Sequence, residues 1–287
     1  MGEQPAAATR MAEISTLFPA GQGDFLVTSA DRMLFYVHQT ALLHASGNFK
    51  AAFEKSASEA TAGAIPALKM EENAVTLEIL FQYVYQDRQS PSIGDVHILN
   101  NVFRAARKYE MEGVLQQLRK SLLETRLHQG RIIQPLYVRY PFATLAIATA
   151  FDCKDEARFA LRECLKGDLA SHIKDASGIQ IPADLVVYVM RLRRERAAWF
   201  SSKLDSWPWP TEGCHNCYRG YAEIRMQLEK ELAFSLDYKS VKQVVIDPSR
   251  TCSSQHHIPE ATRELIQAWD AEWFEMKQPL PLLYTQL

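Results

Sequence analysis

The chain has 287 residues, of which 47% are hydrophobic and 23% charged, values that are ordinary for a globular protein. The 32 basic and 34 acidic residues leave a net charge of -2, so the composition lacks the basic excess that nucleic-acid-binding proteins usually carry. Five cysteines are an odd number at low density, which argues against a disulfide framework and for a reducing compartment.

The first 20 residues contain Ala, Gln, Thr and Pro but no apolar core of a signal peptide. Residues 1–19 are therefore predicted to be a flexible N-terminus. With neither a signal peptide nor an apolar stretch as long as a membrane span, we expect a cytoplasmic or nuclear location.

Two apolar runs separated by a polar turn predict a β-hairpin, formed by Phe25–Thr28 and Met33–Val37. Helical periodicity follows, with an interruption at Gly47, and a third strand is expected at residues 67–70. Three amphipathic helices are then predicted at residues 74–85, at residues 96–107 and from Gly113 onward. A small sheet followed by helices indicates an α+β fold.

From residue 129 onward the pattern is mainly helical. After a helix at residues 143–150, Asp152 is predicted to be the N-cap of the next helix. The apolar face of that helix is expected to hold Phe159, Ala160, Cys164 and Leu165.

Pro182 is predicted to start a long helix that runs to about Leu204. Its inner face is expected to hold Leu185, Val189, Leu192 and Trp199. The basic run at residues 191–196 is interpreted as a solvated face, with nuclear import or phosphate contact as the alternatives. The Trp-Pro-Trp-Pro sequence at residues 207–210 breaks the pattern, and Trp269 and Trp273, four residues apart, are expected to pack in a core.

Several short motifs in the first part of the chain occur in a recognisable order. They are Asp24–Val27, Phe35–His38, Leu42, Ser46, Phe49, Phe53, Leu80–Tyr85 and Ala105–Tyr109. In this order they resemble the BTB/POZ family over residues 20–127, and the helical remainder resembles the C-terminal extension of fungal BTB proteins. Four parts are therefore predicted: the flexible residues 1–19, a BTB/POZ-like domain at 20–127, a helical BACK-like extension at 128–205, and a small Cys/His-containing unit at 206–287.

The resemblance implies a non-enzymatic scaffold that forms homodimers or higher oligomers and recruits protein partners. In some members it also implies docking onto a cullin ubiquitin ligase as a substrate adaptor. Several BTB groups line a charged pocket with an acid at the position of Asp24 and a basic residue after the histidine, but here Gln39 follows His38. This departure puts the charged pocket in doubt. His38 itself is interpreted as a structural residue that caps a helix or bonds the backbone.

The cysteines near the C-terminus form a pattern that is typical of metal sites. Cys214 and Cys217 make a Cys-x-x-Cys pair, and Cys252 and His256 follow at a second loop. Three thiolates and one imidazole can complete a closed tetrahedral zinc site, so we predict a structural zinc bound by these four residues. His215 or His257 could supply the fourth ligand instead.

Two other interpretations of these cysteines stay open: reduced thiols in a loop, and a redox Cys-x-x-Cys pair. The redox interpretation requires a βαβ context that the sequence does not indicate. Cys153 and Cys164 are expected to be packed thiols in the helical extension.

Three functional hypotheses follow from these patterns. The first is the BTB-type scaffold, without a nucleic-acid or membrane partner. The second is a nuclear transcriptional regulator with a C-terminal zinc unit, although residues 206–287 carry no excess of bases over acids. The third is an enzyme with a cryptic site, which is disfavoured because the common catalytic motifs do not occur.

Overall fold

A computed structural model describes residues 12–59, 65–85, 91–128, 131–206, 226, 267–269 and 271–275. The chain divides into two compact units, Met1–Glu124 and Thr125–Leu287. The first combines a small mixed sheet with helices, and the described part of the second is mainly helical. The predicted α+β class with a helical extension is therefore confirmed.

The described elements of the first unit are short strands and helices of about two to four turns. They are β1 (Glu13–Ile14), β2 (Phe25–Thr28), β3 (Met33–Val37), α1 (Gln39–Ala45), α2 (Phe49–Glu59), β4 (Ala67–Lys69), α3 (Ala74–Val84), α4 (Val96–Lys108) and α5 (Glu112–Leu123). The strands form one sheet in the order β1-β3-β2-β4, with β2 and β3 antiparallel and both edge strands parallel to their neighbours.

The predicted hairpin and third strand are confirmed. Phe25 pairs with Val37 and Val27 with Phe35, and all four side chains are buried. Side chains of a strand alternate between the two faces of a sheet, so this register places the four apolar residues on the face that forms the core.

Residues 12–19, the described part of the predicted flexible N-terminus, are ordered instead. β1 pairs with β3 along Met33 and Leu34, and the Phe18 carbonyl accepts a hydrogen bond from the Tyr36 amide at 3.1 Å. The Phe18 side chain is fully buried, with its ring centroid 5.7 Å from that of Phe81. One buried aromatic side chain thus anchors a segment whose composition alone favours disorder.

The start of α3 is fixed by two side-chain caps. Asn73 accepts a hydrogen bond from the Thr76 amide at 2.9 Å, and Asp31, in the hairpin turn, accepts one from the Ala74 amide at 2.8 Å. These bonds satisfy amides that have no partner within the helix. The hairpin and the helix are therefore joined by a polar contact as well as by the core.

The second unit begins with a two-stranded hairpin and continues with helices. Its elements are β5 (Arg126–His128), β6 (Arg131–Ile133), α6 (Leu136–Arg139), α7 (Pro141–Ala150), α8 (Lys154–Cys164), α9 (Leu169–Asp175) and α10 (Ala183–Ser206). The hairpin and α9 are not predicted from the sequence, because both are short and carry no clear periodicity. α7 and α10 lie where the apolar pattern predicts them.

Two details of the predicted α8 are wrong. Cys153 occupies the N-cap position, while Asp152 has a φ of 54° in the left-handed region and cannot be the cap. Phe159 is exposed, whereas Ala157, Ala160, Leu161 and Cys164 form the buried face. The buried face of α8 therefore lies on the side of the two alanines and Cys164, and Phe159 lies outside it.

The basic run in α10 is only partly solvated. Arg191 and Arg194 are exposed as expected, but Arg193 donates hydrogen bonds to the carbonyls of Cys164 at 2.9 Å and Gly167 at 2.7 Å. Arg196 is buried and donates to the carbonyl of Leu165 at 3.2 Å. The solvated interpretation is wrong for these two arginines, which satisfy the free carbonyls at the C-terminal end of α8.

The inner face of α10 and the C-terminal tryptophans agree with the sequence pattern, with one correction. Leu185, Val189 and Leu192 are buried, but Phe200 is buried in place of the half-buried Trp199. Trp269 and Trp273 are buried, as predicted.

Candidate protein interaction site

The strand-to-helix junction that carries Asp24 and His38 is a capping site. The Asp24 carboxylate accepts a hydrogen bond from the Gln39 amide at 2.7 Å. His38 occupies the N-cap position, but its side chain is exposed and makes no capping bond, so the prediction that His38 caps the helix is wrong. The aspartate that could belong to a charged pocket instead satisfies the first turn of α1.

Gly23, which precedes this aspartate, lies against the backbone of β3. A Cβ at this position would lie 2.6 Å from the carbonyl oxygen of Val37. The next residue is held by a hydrogen bond from the Asp24 amide to the same carbonyl at 3.1 Å. Only glycine fits this close approach, which sets the position of the Asp24 cap.

Tyr85, the last residue of the Leu80–Tyr85 motif, completes this junction. Its hydroxyl accepts a hydrogen bond from the His38 amide at 2.7 Å, and its ring centroid lies 5.5 Å from that of Phe18. The motif therefore connects the end of α3 to the start of α1 and to the anchored N-terminal segment.

The Ala105–Tyr109 motif connects three further elements. Lys108 Nζ lies 2.9 Å from a carboxylate oxygen of Glu71 and 2.9 Å from one of Glu72. The Tyr109 hydroxyl donates to Glu72 at 2.6 Å, and its ring stacks on Phe49 with centroids 5.2 Å apart. The end of α4 is thus tied to the turn before α3 and to α2, which explains why lysine and tyrosine follow one another here.

Glu72 is ionised more readily in this cluster than an ordinary glutamate. Burial on its own raises the pKa of the carboxyl group, but hydrogen bonds from Tyr109 and Lys108 outweigh burial and leave the pKa of Glu72 below its usual value. Burial, and then the hydrogen bond to Glu72, raise the pKa of the Tyr109 hydroxyl. The folded state therefore favours the pair of an ionised Glu72 and a protonated Tyr109.

This cluster predicts an acid-sensitive contribution to stability. Since the pKa of Glu72 is lower in the folded than in the unfolded chain, its stabilising effect is complete at neutral pH and is lost as the pH falls below about 4.5. We expect Glu72→Gln to reduce the difference in free energy of unfolding between pH 7 and pH 4, as measured by urea unfolding followed by circular dichroism. Glu71→Gln, at a largely exposed carboxylate, serves as the control, and an equal change in both variants would contradict this role of Glu72.

Exposed apolar side chains mark the surfaces of the first unit that could bind another protein. Ile14 is 47% and Leu17 39% exposed; Ile14 lies in the edge strand β1 and Leu17 follows it, on the segment that Phe18 anchors. Ile65 and Val75 are exposed elsewhere in the unit. The sequence analysis missed Ile14 and Leu17, although their apolar character beside Phe18 within a polar segment is a signal that could have identified them.

The predicted zinc ligands Cys214, Cys217, Cys252 and His256 lie outside the described residues, as do His215 and His257. Among the residues that are described, no three His, Cys, Asp or Glu side chains are grouped closely enough to hold a metal ion. Cys153 and Cys164 are buried, as expected, and burial raises the pKa of the Cys164 thiol well above its usual value. Cys164 is thus a packed, unreactive thiol.

No helix in the described part of the chain is both long and apolar enough to cross a membrane.

Comparison with known protein families gives a match to part of the chain. A model of the BTB/POZ domain family matches residues 22–126. This range contains the capped junction at Asp24 and the Lys108–Tyr109 cluster. No curated protein matches the chain.

Proposed function

Because residues 22–126 are a BTB/POZ domain, a protein–protein interaction module, we propose that the chain is a non-enzymatic scaffold that self-associates through this domain. The family match is the observation that carries the proposal. The residues of the matched motifs agree with the domain assignment, because the described ones stabilise its fold by caps, hydrogen bonds and aromatic contacts. Asp24, Tyr85 and Tyr109 all have such structural partners.

Self-association would allow the scaffold to bind a partner through two sites at once. A homodimer presents two copies of the C-terminal half at once, so a partner with two binding elements meets a high effective concentration. A two-fold interface uses the same surface of both copies. The edge formed by β1, with the exposed Ile14 and Leu17, is the surface that we propose for this contact.

The double variant Ile14→Glu/Leu17→Glu is expected to weaken self-association by about 100-fold or more, because two apolar side chains no longer leave water on association. Sedimentation equilibrium of the full chain measures the dissociation constant directly. The control is Ile65→Glu/Val75→Glu, which changes two equally exposed apolar residues away from β1. Equal weakening by both double variants would contradict the proposed edge, provided that circular dichroism shows both to be folded.

We further propose that the scaffold serves as a substrate adaptor of a cullin ubiquitin ligase, as the BTB/POZ resemblance implies for some members. Binding of the full chain to purified N-terminal domains of cullins, measured by biolayer interferometry, tests this role. Saturable binding to one cullin supports it. Binding to none of them at the highest soluble concentration would contradict it and would leave self-association unaffected.

A second proposal concerns the C-terminal cysteines. The spacing of Cys214, Cys217, Cys252 and His256 supports a structural zinc, and the alternative function of a nuclear regulator with a zinc unit depends on the same site. We expect one equivalent of zinc per purified chain by atomic emission, and its loss in Cys217→Ser. Cys164→Ser is the control, since that thiol is packed in α8. A folded, metal-free wild-type protein would contradict the site.

A further inference from the structure

The long helix α10 has a second face, which is exposed and carries an apolar pair at its centre. One side of the helix is fixed in the core by Leu185, Val189 and Leu192. The other side presents Val187 and Met190, whose exposed fractions are 65% and 42%. Residues three positions apart are neighbours on a helix surface, so these two side chains form one apolar patch.

Charged residues of opposite sign flank this patch. Asp184 lies in the first turn of α10, before the patch, and is exposed. Arg191 and Arg194 follow the patch and are also exposed. Among the described residues Asp184 has no ion-pair partner, and Arg191 reaches Glu195 only at 3.8 Å. The charges at the two ends of the patch are therefore available to a molecule that covers it.

The apolar and charged residues lie on one stripe of the helix. With 3.6 residues per turn, positions 184, 187, 190, 191 and 194 fall within an arc of about 120°. We call these five residues the α10 face. In a heptad repeat, positions 187 and 190 are the a and d positions of a helix–helix seam, and positions 184 and 191 are both e positions beside it.

The order of charges along the α10 face selects an antiparallel second copy as its occupant. In a parallel pair of helices the two basic ends approach each other, and so do the two acidic ends. In an antiparallel pair, the register that places Val187 of each copy opposite Met190 of the other also brings Asp184 of each copy to within about 3 Å, along the helix axis, of the level of Arg191 of the other. A two-fold axis thus forms two ion pairs around an apolar centre.

From this pattern we propose that the α10 face binds the α10 face of a second copy of the chain in an antiparallel, two-fold contact. This surface lies in the second unit, so it goes beyond the proposed self-association through β1 and does not depend on it. Few side chains take part, which places the contact among weak, concentration-dependent interfaces. Together with self-association of the first unit, it joins dimers into larger assemblies.

Charge reversal tests the contact without removing a buried side chain. Asp184→Lys places a second cation beside Arg191 of the other copy, and Arg191→Glu places a second anion beside Asp184. Each unfavourable pair occurs twice per dimer, so either variant is expected to weaken the contact about 10-fold or more. The readout is the weight-average mass of the full chain from sedimentation equilibrium, at concentrations up to about 200 µM, where weak contacts are populated.

An equimolar mixture of Asp184→Lys and Arg191→Glu chains is the most specific sample. One chain then has two basic residues and the other two acidic residues at these positions, so an antiparallel pair of unlike chains regains both ion pairs. The mixture is expected to have a higher weight-average mass than either variant alone. Any contact made by the first unit is the same in all samples, because neither substitution lies in that unit.

The apolar centre is tested by Val187→Thr, which replaces a methyl group by a hydroxyl group of similar size. We expect about 5-fold weaker association, since the changed side chain is buried twice per dimer. Ile132→Thr is the matched control, because Ile132 is 76% exposed on β6 and lies outside the α10 face. Circular dichroism of every variant checks that the chain stays folded.

Three results would overturn the proposal. In the first, neither charge reversal changes the weight-average mass, which shows that the contact does not form. In the second, the mixture associates no better than the separate variants, which excludes the antiparallel ion pairs. In the third, Val187→Thr and Ile132→Thr have equal effects, which shows that the apolar patch is not covered on association.

Discussion

Replacing Phe81 by alanine is expected to lower the free energy of unfolding of the first unit by about 3–5 kcal/mol, the range for a buried phenylalanine. Phe81 is fully buried, with its ring centroid 5.6 Å from that of Phe35 on β3 and 5.7 Å from that of Phe18. The substitution leaves a cavity between the sheet, α3 and the N-terminal segment. It therefore removes the anchor of the β1 edge as well as part of the core.

The distribution of tryptophan makes this effect separable from effects on the second unit. All five tryptophans lie at residue 199 or later, at positions 199, 207, 209, 269 and 273. In urea unfolding of the full chain, circular dichroism reports on both units, while tryptophan fluorescence reports on the second. We expect Phe81→Ala to lower the urea midpoint measured by circular dichroism. The midpoint measured by tryptophan fluorescence should not change.

The control for this variant is Val75→Ala, which changes an exposed residue of the same helix and should alter the free energy of unfolding by less than about 0.5 kcal/mol. A Phe81→Ala chain that unfolds like the control would show that the aromatic cluster of Phe18, Phe35 and Phe81 does not stabilise the first unit.

Replacing Arg193 by methionine is expected to destabilise the second unit by about 1.5–3 kcal/mol, the range for hydrogen bonds to charged groups. Methionine retains much of the apolar stem but cannot donate to the carbonyls of Cys164, Lys166 and Gly167. Those carbonyls follow the end of α8, where a positive charge also interacts favourably with the helix dipole.

Urea unfolding followed by tryptophan fluorescence measures this loss of stability of the second unit. Arg191→Met is the matched control, because Arg191 is exposed on the same helix and pairs with Glu195 only at the long distance of 3.8 Å. We expect the control to change stability by less than about 0.5 kcal/mol. Equal effects of the two substitutions would mean that the clamp between α10 and α8 contributes nothing beyond ordinary surface charge.

The sequence predicts the strands and longer helices of this fold because their apolar residues alternate or recur with clear periods. Val27 and Phe35 are predicted to lie in buried strands on this basis, and Leu77 and Val102 in amphipathic helices; all four are buried. The order of residues 12–18 is not predicted, since the pairing of β1 with β3 and the burial of Phe18 both depend on residues that are distant in the sequence.

Polar contacts between residues that are distant in the sequence are also not predicted by its periodicity. That Asp24 caps α1, or that Glu72 joins Lys108 and Tyr109, depends on tertiary proximity and not on local spacing. The buried Arg196 is different, because it continues the series Leu185, Val189, Leu192 at helical spacing. Its position on the inner face could have been predicted if its charge had not been taken as evidence of exposure.

The motifs that resemble the BTB/POZ family proved to mark the fold more than an exposed site. Tyr85 and Tyr109 use their hydroxyls within the unit, and Phe49 and Phe53 are buried in its core. Surface residues that could meet a partner, such as Ile14 and Leu17, carry no motif. The family is therefore easier to identify from the sequence than the partner.

The central claim is that this BTB/POZ-containing chain acts by self-association. Size-exclusion chromatography with multi-angle light scattering on the full chain at micromolar concentration tests it most directly. The account predicts a mass of twice 32.6 kDa or a larger multiple, with a shift toward the single-chain mass for Ile14→Glu/Leu17→Glu. A wild-type mass of 32.6 kDa at every concentration would contradict it.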